Sequence, residues 1–387
     1  MKILHVLHTA KPGGAAQSLK VLLNEWRNSE NHVQPMVALP QDGEVFEELQ
    51  AAGWQVFELP PGVLQHPHGM AEMGRALSKV LLQQRILQEI IRREKVDIVH
   101  ANATAAHLAA GLAARRCGIP AVWHVRDLAP LGRWCKSLAR RADAVIAISH
   151  AVADALMNLR VPESKIEVIY NALASADWPA DTSPDLIIRQ SLNATTDSVV
   201  FGCVGQLVPW KNQAAFIEAA AILRRLEPAA NIRFAVVGSD PWQNDSRYRR
   251  RLMQQAQTLG LGKELIFFPY QANNKTLLAA CDVLVHAALR EPFGRVVIEA
   301  MALQKPVVAF DAAGPGEILT HLKDGLLASP ASSSAGLAVE MRKVLLSPSL
   351  RHELGVQARR TVCNRFEASI CAAQVKAIYE KISRSNG

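Results

Sequence analysis

The chain has 387 residues, 49% hydrophobic and 20% charged, which is too long for one ordinary core and suits a globular protein of two domains. Its formal charge of +8 lies mainly in the second half: residues 1–180 carry 19 Lys and Arg against 17 Asp and Glu, while Arg224-Arg225 and Arg247-Tyr-Arg-Arg-Arg251 come later. A basic half suits an anionic small ligand or surface, but no basic tail or aromatic-interleaved basic patch is present, so nucleic acid is not an expected partner. No run reaches the roughly 18–20 apolar residues that span a bilayer. The opening Met1-Lys-Ile-Leu-His-Val-Leu-His-Thr9 is too short and too broken by His for the apolar core of a secretory leader. The six cysteines form no Cys-x-x-Cys pair; buried thiols in a cytoplasmic protein are the expectation.

Short apolar, β-branched runs alternate with longer amphipathic stretches. In chain order the first half offers strands at Lys2–Leu7, Gln34–Leu39, Gln55–Leu59, Asp97–His100, Ala121–Val125, Ala144–Ile148 and Glu167–Tyr170, with helices such as Ala15–Arg27 and Met73–Arg93 between them. The second half offers Val199–Val204, Arg233–Val237, Leu265–Phe268, Val283–Val285, Val307–Phe310 and Gly325–Leu327, with helices at Gln213–Leu226 and Arg247–Leu259. Continuous apolar runs mark parallel strands buried on both faces. The repeated strand–helix order predicts an α/β fold of two doubly wound, Rossmann-like domains. The Ala-, Ser-, Asp- and Pro-rich stretch Ala172–Thr196 reads as the connection. The expected division is 1–175, 176–365 and a C-terminal helix over 366–387 packing back on the first domain.

Four sites carry candidate chemistry. Gly13-Gly14 follows the first strand; a glycine pair before a helix either brings amides close to a phosphate or simply makes a tight turn. It is not the Gly-x-Gly-x-x-Gly of a dinucleotide site. Gly205-Gln206-Leu-Val-Pro-Trp-Lys211-Asn212 places a lysine at the carboxyl edge of the second sheet, where ligands bind in open α/β folds. Lys211 is either a cation for a diphosphate or a solvated loop residue. The third and most informative is Glu291-Pro-Phe293-Gly294-Arg295-Val296-Val-Ile-Glu299-Ala-Met-Ala302. Pro292 sets the entry, Gly294 permits close backbone approach, and a helix starting near it exposes first-turn amides to an anion. Glu291 precedes that end and Glu299 lies about a turn and a half inside. Gly238-Ser-Asp240 and Gly314-Pro-Gly-Glu317 are two further glycine loops expected at the same edge. The fourth is His124, at the end of its strand in Trp123-His-Val-Arg126-Asp127; His5, His8, His100 and His150, near other strand ends, read as packing or support. No Asp-x-Asp and no His-Glu-x-x-His occurs, so a metal-bridged diphosphate is not indicated.

With these motifs the sequence resembles the retaining glycosyltransferases of family four, of the GT-B fold, in which two Rossmann-like domains face a cleft. The resemblance covers nearly the whole chain. It is strongest from Val199 to Leu327, where Glu-x7-Glu follows Gly-Gln-Leu-Val-Pro-Trp-Lys and precedes Gly-Pro-Gly-Glu. The first half matches more loosely, at Gly13-Gly14, Asp97-Ile-Val-His100-Ala-Asn, His124, Ala147-Ile-Ser149 and Val168-Ile-Tyr-Asn171. The resemblance implies that Glu299 binds the ribose hydroxyls and Glu291 the donor sugar. The amides of Phe293, Gly294, Arg295 and Val296, with Gly13-Gly14 and Lys211, hold the diphosphate; Gln206 stands where the family commonly has Arg, which leaves more of that task to Lys211, Arg295 or Arg290. His124 contacts the sugar near the reacting carbon, and the base lies against Phe268-Pro-Tyr270-Gln271. Glu291, His124 and Lys211 are thus the residues expected at the reaction centre. No cofactor and no metal are expected, only a nucleotide sugar as donor substrate.

The implied activity is transfer of a sugar from a UDP- or GDP-sugar to a glycan or lipid-linked acceptor in bacterial cell-surface polysaccharide synthesis. A nucleotide-sugar epimerase on the same fold and a non-catalytic sugar-nucleotide-binding partner are the alternatives. Arg133-Trp-Cys-Lys-Ser-Leu-Ala-Arg-Arg141 and the helix over Arg75–Arg93 combine apolar and cationic residues, so each is either a peripheral contact with the inner face of the membrane or a solvated face.

Overall fold

The computed structural model describes residues 1–28, 33–62, 70–128, 132–180, 183–184, 186–239, 247–269 and 274–384. The chain forms two compact units, one of Met1–Ala172 with the segment from Ala368 onward, the other of Leu173–Glu367. In the first unit the strands are β1 (Lys2–Val6), β2 (Gln34–Pro40), β3 (Val56–Leu59), β4 (Ile98–Ala101), β5 (Ala121–Val125), β6 (Ala144–Ala147) and β7 (Ile166–Val168). They lie in the order β3-β2-β1-β4-β5-β6-β7, every pair parallel. The central strands are mostly apolar because both faces are covered, with His5, His100 and His124 buried among the apolar residues. On one face, helices Met70–Glu94 and Thr104–Cys117 cover Leu4, Val6, Val99, Ala101 and Ala121. Ala106, Ala109, Ala110, Ala113 and Ala114 line that contact, and their small side chains let helix and sheet approach. On the other face, Ile3, Ile98, Val122 and Ile146 meet Trp26 of helix Gly14–Asn28 and Cys371, Val375, Tyr379 and Ile382 of helix Ala368–Arg384. The spacing of those last residues is the apolar stripe of a helix facing a core.

The second unit holds β8 (Val199–Val204), β9 (Ile232–Val237), β10 (Leu265–Phe268), β11 (Val283–His286), β12 (Val307–Phe310) and β13 (Leu326–Ala328), in the parallel order β10-β9-β8-β11-β12-β13. Phe201, Phe234, Val236, Val285 and Phe310 pack against helices Gln213–Leu226 and Ser333–Leu346 to form its core. Both sheets reverse their winding direction once, between β1 and β4 and between β8 and β11. Adjacent connections leave in opposite directions there, opening a crevice at the carboxyl ends of the strands.

Two expectations need correcting. The stretch Ala172–Thr196 is not a bare connection: it contains helix Leu186–Ser191. Arg189 clamps that helix to the second unit through Asp282 at 3.2 Å and the carbonyls of Ala280, Thr195 and Ser198. Gly314-Pro-Gly-Glu317 is not a loop but lies inside helix Ala313–Ile318. Pro315 sits in its first turn, where a missing amide hydrogen costs no intrahelical bond.

Candidate active site

The second unit's crevice is built from the segments that leave β8 and β11. After β8 the chain makes the one-turn helix Pro209–Lys211, and Asn212 adopts φ 57° before helix Gln213–Leu226 begins. The turn is tied down by Asn212 donating to Ala287 O at 3.1 Å and Gln213 donating to Gln206 O at 2.7 Å. Lys211 is thereby directed at the segment after β11, where its ammonium pairs with Glu291. Glu291 also accepts from His286 Nε2 at 3.2 Å, and all three side chains are largely buried. Burial works to raise the Glu291 pKa, but the Lys211 charge and the His286 hydrogen bond outweigh it and lower it to about 2. The carboxylate is therefore ionised across the physiological range.

Beyond Glu291 the chain turns into helix Arg295–Ala302 through Gly294, at φ 97°. Only glycine takes that conformation readily. The loop is pressed against its neighbour: Gly314 donates to Glu291 O at 3.0 Å, and a Cβ on Gly314 would stand 2.3 Å from Phe293 O. The Phe293 ring is core, packed edge-on against Phe366 at 5.9 Å, so only its backbone faces the crevice. Helix Arg295–Ala302 starts at this point and presents its amino-terminal amides and dipole there. Glu299, 8% exposed, has a raised pKa because of burial, with Arg295 opposing from 3.5 Å. Gln206 is exposed, and Arg295 and Val296 are half-buried.

The structure thus brings Lys211, Glu291 and the start of helix Arg295–Ala302 together, with Gln206 on the loop that carries Lys211. Tyr270, Gln271 and Asp240 lie outside the described residues. Sequence reasoning missed His286. It extends β11 one residue beyond the apolar run Val283–Val285, and a polar residue at that carboxyl end was the available signal.

In the first unit Gly13 and Gly14 are exposed at the start of helix Gly14–Asn28. Ser18 Oγ, one turn on, lies 2.8 Å from Gly14 O and 3.0 Å from Asn171 Oδ1. His124 is 3% exposed at the end of β5. Its Nδ1 is 3.2 Å from His100 Nε2 and 3.4 Å from an Arg126 nitrogen. Burial first, then the Arg126 charge and the neighbouring histidines, hold its pKa well below the ordinary value. The ring is neutral. Its Nε2 has no hydrogen-bond partner among the described residues.

Two family models match consecutive parts of the chain: Glycosyltransferase Family 4 over residues 12–175 and Glycosyl transferases group 1 over residues 185–361. The chain belongs to the family 4, group 1 glycosyltransferases. This glycosyltransferase is 26% identical to the lipopolysaccharide core biosynthesis glycosyltransferase LpsD of Rhizobium meliloti, over 95% of this chain and 94% of that one. It is also 26% identical to the alpha-maltose-1-phosphate synthase of Mycolicibacterium smegmatis, over 77% and 82% of the two chains. Among solved structures, Anabaena Alr3699/HepE in complex with UDP-glucose superposes with a TM-score of 0.81, at 26% identity, covering 98% of this chain and all of that one. The two parallel-sheet units are those of a GT-B glycosyltransferase.

Proposed function

We propose that this glycosyltransferase uses a nucleotide diphosphate sugar, UDP- or GDP-linked, and transfers its hexose with retention of anomeric configuration to a glycan or lipid-linked acceptor of a cell-surface polysaccharide. The observation that carries the reading is the Lys211–Glu291–His286 cluster beside the start of helix Arg295–Ala302, at the switch point of the second sheet. The UDP-glucose in the HepE complex and the name of LpsD support the donor and acceptor classes.

Sugar transfer develops positive charge on the sugar and negative charge on the departing diphosphate. The amides at Phe293–Val296 and the Lys211 ammonium receive that negative charge, and Glu291 keeps Lys211 oriented while contacting the sugar. Glu299 accepts from the ribose hydroxyls. Fixed donors of this kind act where the charge grows, and losing one typically costs on the order of 10²–10³ in rate. The proposed reaction takes no cofactor and no metal, since cations of the protein itself serve the diphosphate. The test is transfer from a panel of UDP- and GDP-sugars to glycan and lipid-linked acceptors, with the product's anomeric configuration read by NMR. Retained configuration, insensitivity to chelator and a drop of about 10²-fold or more in Lys211→Ala are expected. Sugar interconversion without acceptor identifies an epimerase instead, and donor binding without transfer to any acceptor a non-catalytic partner.

Peripheral membrane contact forms part of the proposal. Met73, Leu77 and Leu81 make an exposed stripe at helical spacing on helix Met70–Glu94, with exposed Arg85 beside it and exposed Arg75 and Lys79 on the opposite side of the helix. In the other candidate segment Cys135 and Leu138 are buried and Trp134 is exposed, which favours the long helix. Among the described residues no helix is long and apolar enough to cross a membrane. Sedimentation with anionic vesicles at low salt is expected for the native chain and lost in a Met73→Ser/Leu77→Ser/Leu81→Ser variant; absence of native sedimentation removes the contact.

A further inference from the structure

A chain of buried polar side chains runs from the C-terminal helix to His124. His5 and His100 are register partners on β1 and β4, and His124 lies two residues beyond Val122, the partner of His100 on β5. The three rings therefore share the sheet face covered by helix Ala368–Arg384. Tyr379 reaches down from that helix and places its hydroxyl 2.6 Å from His100 Nδ1. His100 Nε2 is 3.2 Å from His124 Nδ1. Both rings are fully enclosed or nearly so.

The direction of every bond in this chain follows from one residue that can only donate. Arg126 is fixed by Asn171 Oδ1 at 2.6 Å and Asn102 O at 2.9 Å, and one of its nitrogens lies 3.4 Å from His124 Nδ1. A guanidinium has no acceptor, so His124 Nδ1 is a lone pair. The hydrogen between the two imidazoles then belongs to His100 Nε2. With the Arg126 charge beside them and no carboxylate in contact among the described residues, both buried rings are neutral. His100 Nδ1 is accordingly a lone pair and accepts the Tyr379 O–H. The remaining proton of His124 sits on Nε2, the atom with no partner among the described residues.

We infer that Arg126 and His100, the latter held by Tyr379, are positioning residues that lock His124 as an Nε2–H donor for a substrate oxygen. The inference rests on the glycosyltransferase reading for the identity of that oxygen, a hydroxyl of donor or acceptor, but not for the tautomer itself. The two rings and the phenol do not exchange a proton in this role. Arg126 fixes which nitrogen of His124 donates, and the bonds to His100 and Tyr379 follow in one order.

The test combines a tautomer measurement with kinetics. Ring-¹⁵N-labelled protein, with His124 assigned through His124→Gln, is expected to show His124 protonated at Nε2 and unprotonated at Nδ1. Tyr379→Phe removes one hydroxyl and keeps the packed ring. It is expected to populate both tautomers of His100 while His124, still facing the Arg126 donor, keeps Nε2–H. Arg126→Met removes that donor and is expected to populate both tautomers of His124 and to lower kcat by about tenfold, the scale of losing a group that orients a functional histidine, with donor KM nearly unchanged. His100→Gln keeps an amide donor toward His124, so it retains Nε2–H there and makes Tyr379→Phe silent in the double variant. A wild-type His124 carrying its proton on Nδ1 overturns the inference, as does Arg126→Met with an unchanged His124 tautomer. Should Arg126→Met not fold, loss of Nε2–H at His124 in His100→Gln overturns it alone. A wild type that shows the expected tautomers but transfers no sugar defeats the functional reading and leaves the lock standing.

Discussion

Replacing Glu291 by Gln removes one charge and almost no volume, and the carbonyl that remains still accepts from His286. The carboxyl is held at about 2 against an ordinary 4.5, which stabilises the folded second unit by about 3 kcal/mol at neutral pH, each pKa unit being worth about 1.4 kcal/mol. The folded pKa is depressed, so this stability is fully present above pH 4.5 and is lost as the pH falls toward 2. Glu291→Gln also leaves the Lys211 ammonium without its partner, a cost reduced by the 16% exposure of that side chain. The net expectation is a loss of about 2–4 kcal/mol at pH 7. The assay is urea unfolding at a series of pH values, read by pulse hydrogen exchange on peptides spanning residues 199–204 and 283–286. The difference between wild type and variant should shrink steadily below pH 4.5, to about a quarter of its neutral-pH value at pH 2.5 and to nearly nothing below the folded pKa of about 2. A variant as stable as wild type at pH 7, or a difference that persists unchanged at pH 2.5, refutes the ionised, Lys211-paired carboxylate.

Glu299→Gln should separate stability from binding. Burial raises the Glu299 pKa, so ionisation of this group costs folding stability at neutral pH and the cost disappears as the pH falls through the folded pKa. Calorimetry should find the variant at least as stable as wild type, while nucleotide affinity falls roughly 10–100-fold through loss of charged hydrogen bonds to ribose. For Gly314→Ala two effects compete: in a helix Ala is favoured over Gly by about 1 kcal/mol, but the new Cβ meets the Phe293 backbone at 2.3 Å, an overpacking of about 1–3 kcal/mol. Contact with backbone cannot be relieved by a rotamer change, so the variant should melt below wild type and bind nucleotide more weakly. A variant that melts higher with unaltered binding shows that the Glu291–Gly294 loop does not depend on this contact.

Much of the fold was legible because parallel strands buried on both faces announce themselves as short apolar runs. Each run read as a strand appears in a sheet, displaced at its ends by at most two residues. The errors fall where side-chain type does not decide the backbone. Gly-Pro-Gly-Glu at 314–317 carries the composition of a loop, yet Pro315 in a first turn is compatible with helix. Ala172–Thr196 lacks strand pattern, yet Arg189 gathers three carbonyls and Asp282 into a packed corner. The pairing of Lys211 with Glu291 spans 80 residues, and the switch point between β8 and β11 brings it about; strand order is not written in local periodicity. Tyr379 was invisible for the same reason. Its place on the apolar stripe of a terminal helix predicts packing, and only the sheet face beneath it, which carries three histidines, sets its hydroxyl 2.6 Å from His100 Nδ1.

The central claim is that Lys211 and Glu299, at opposite ends of one segment-built site in the second unit, hold a nucleoside diphosphate. Isothermal titration of UDP and of GDP into wild type, Lys211→Ala and Glu299→Gln tests it most directly. One of the two nucleotides should bind the wild type, with at least tenfold weaker binding in each variant, as expected for loss of a charged contact. Binding of equal strength to all three proteins, or of neither nucleotide to the wild type, contradicts the account.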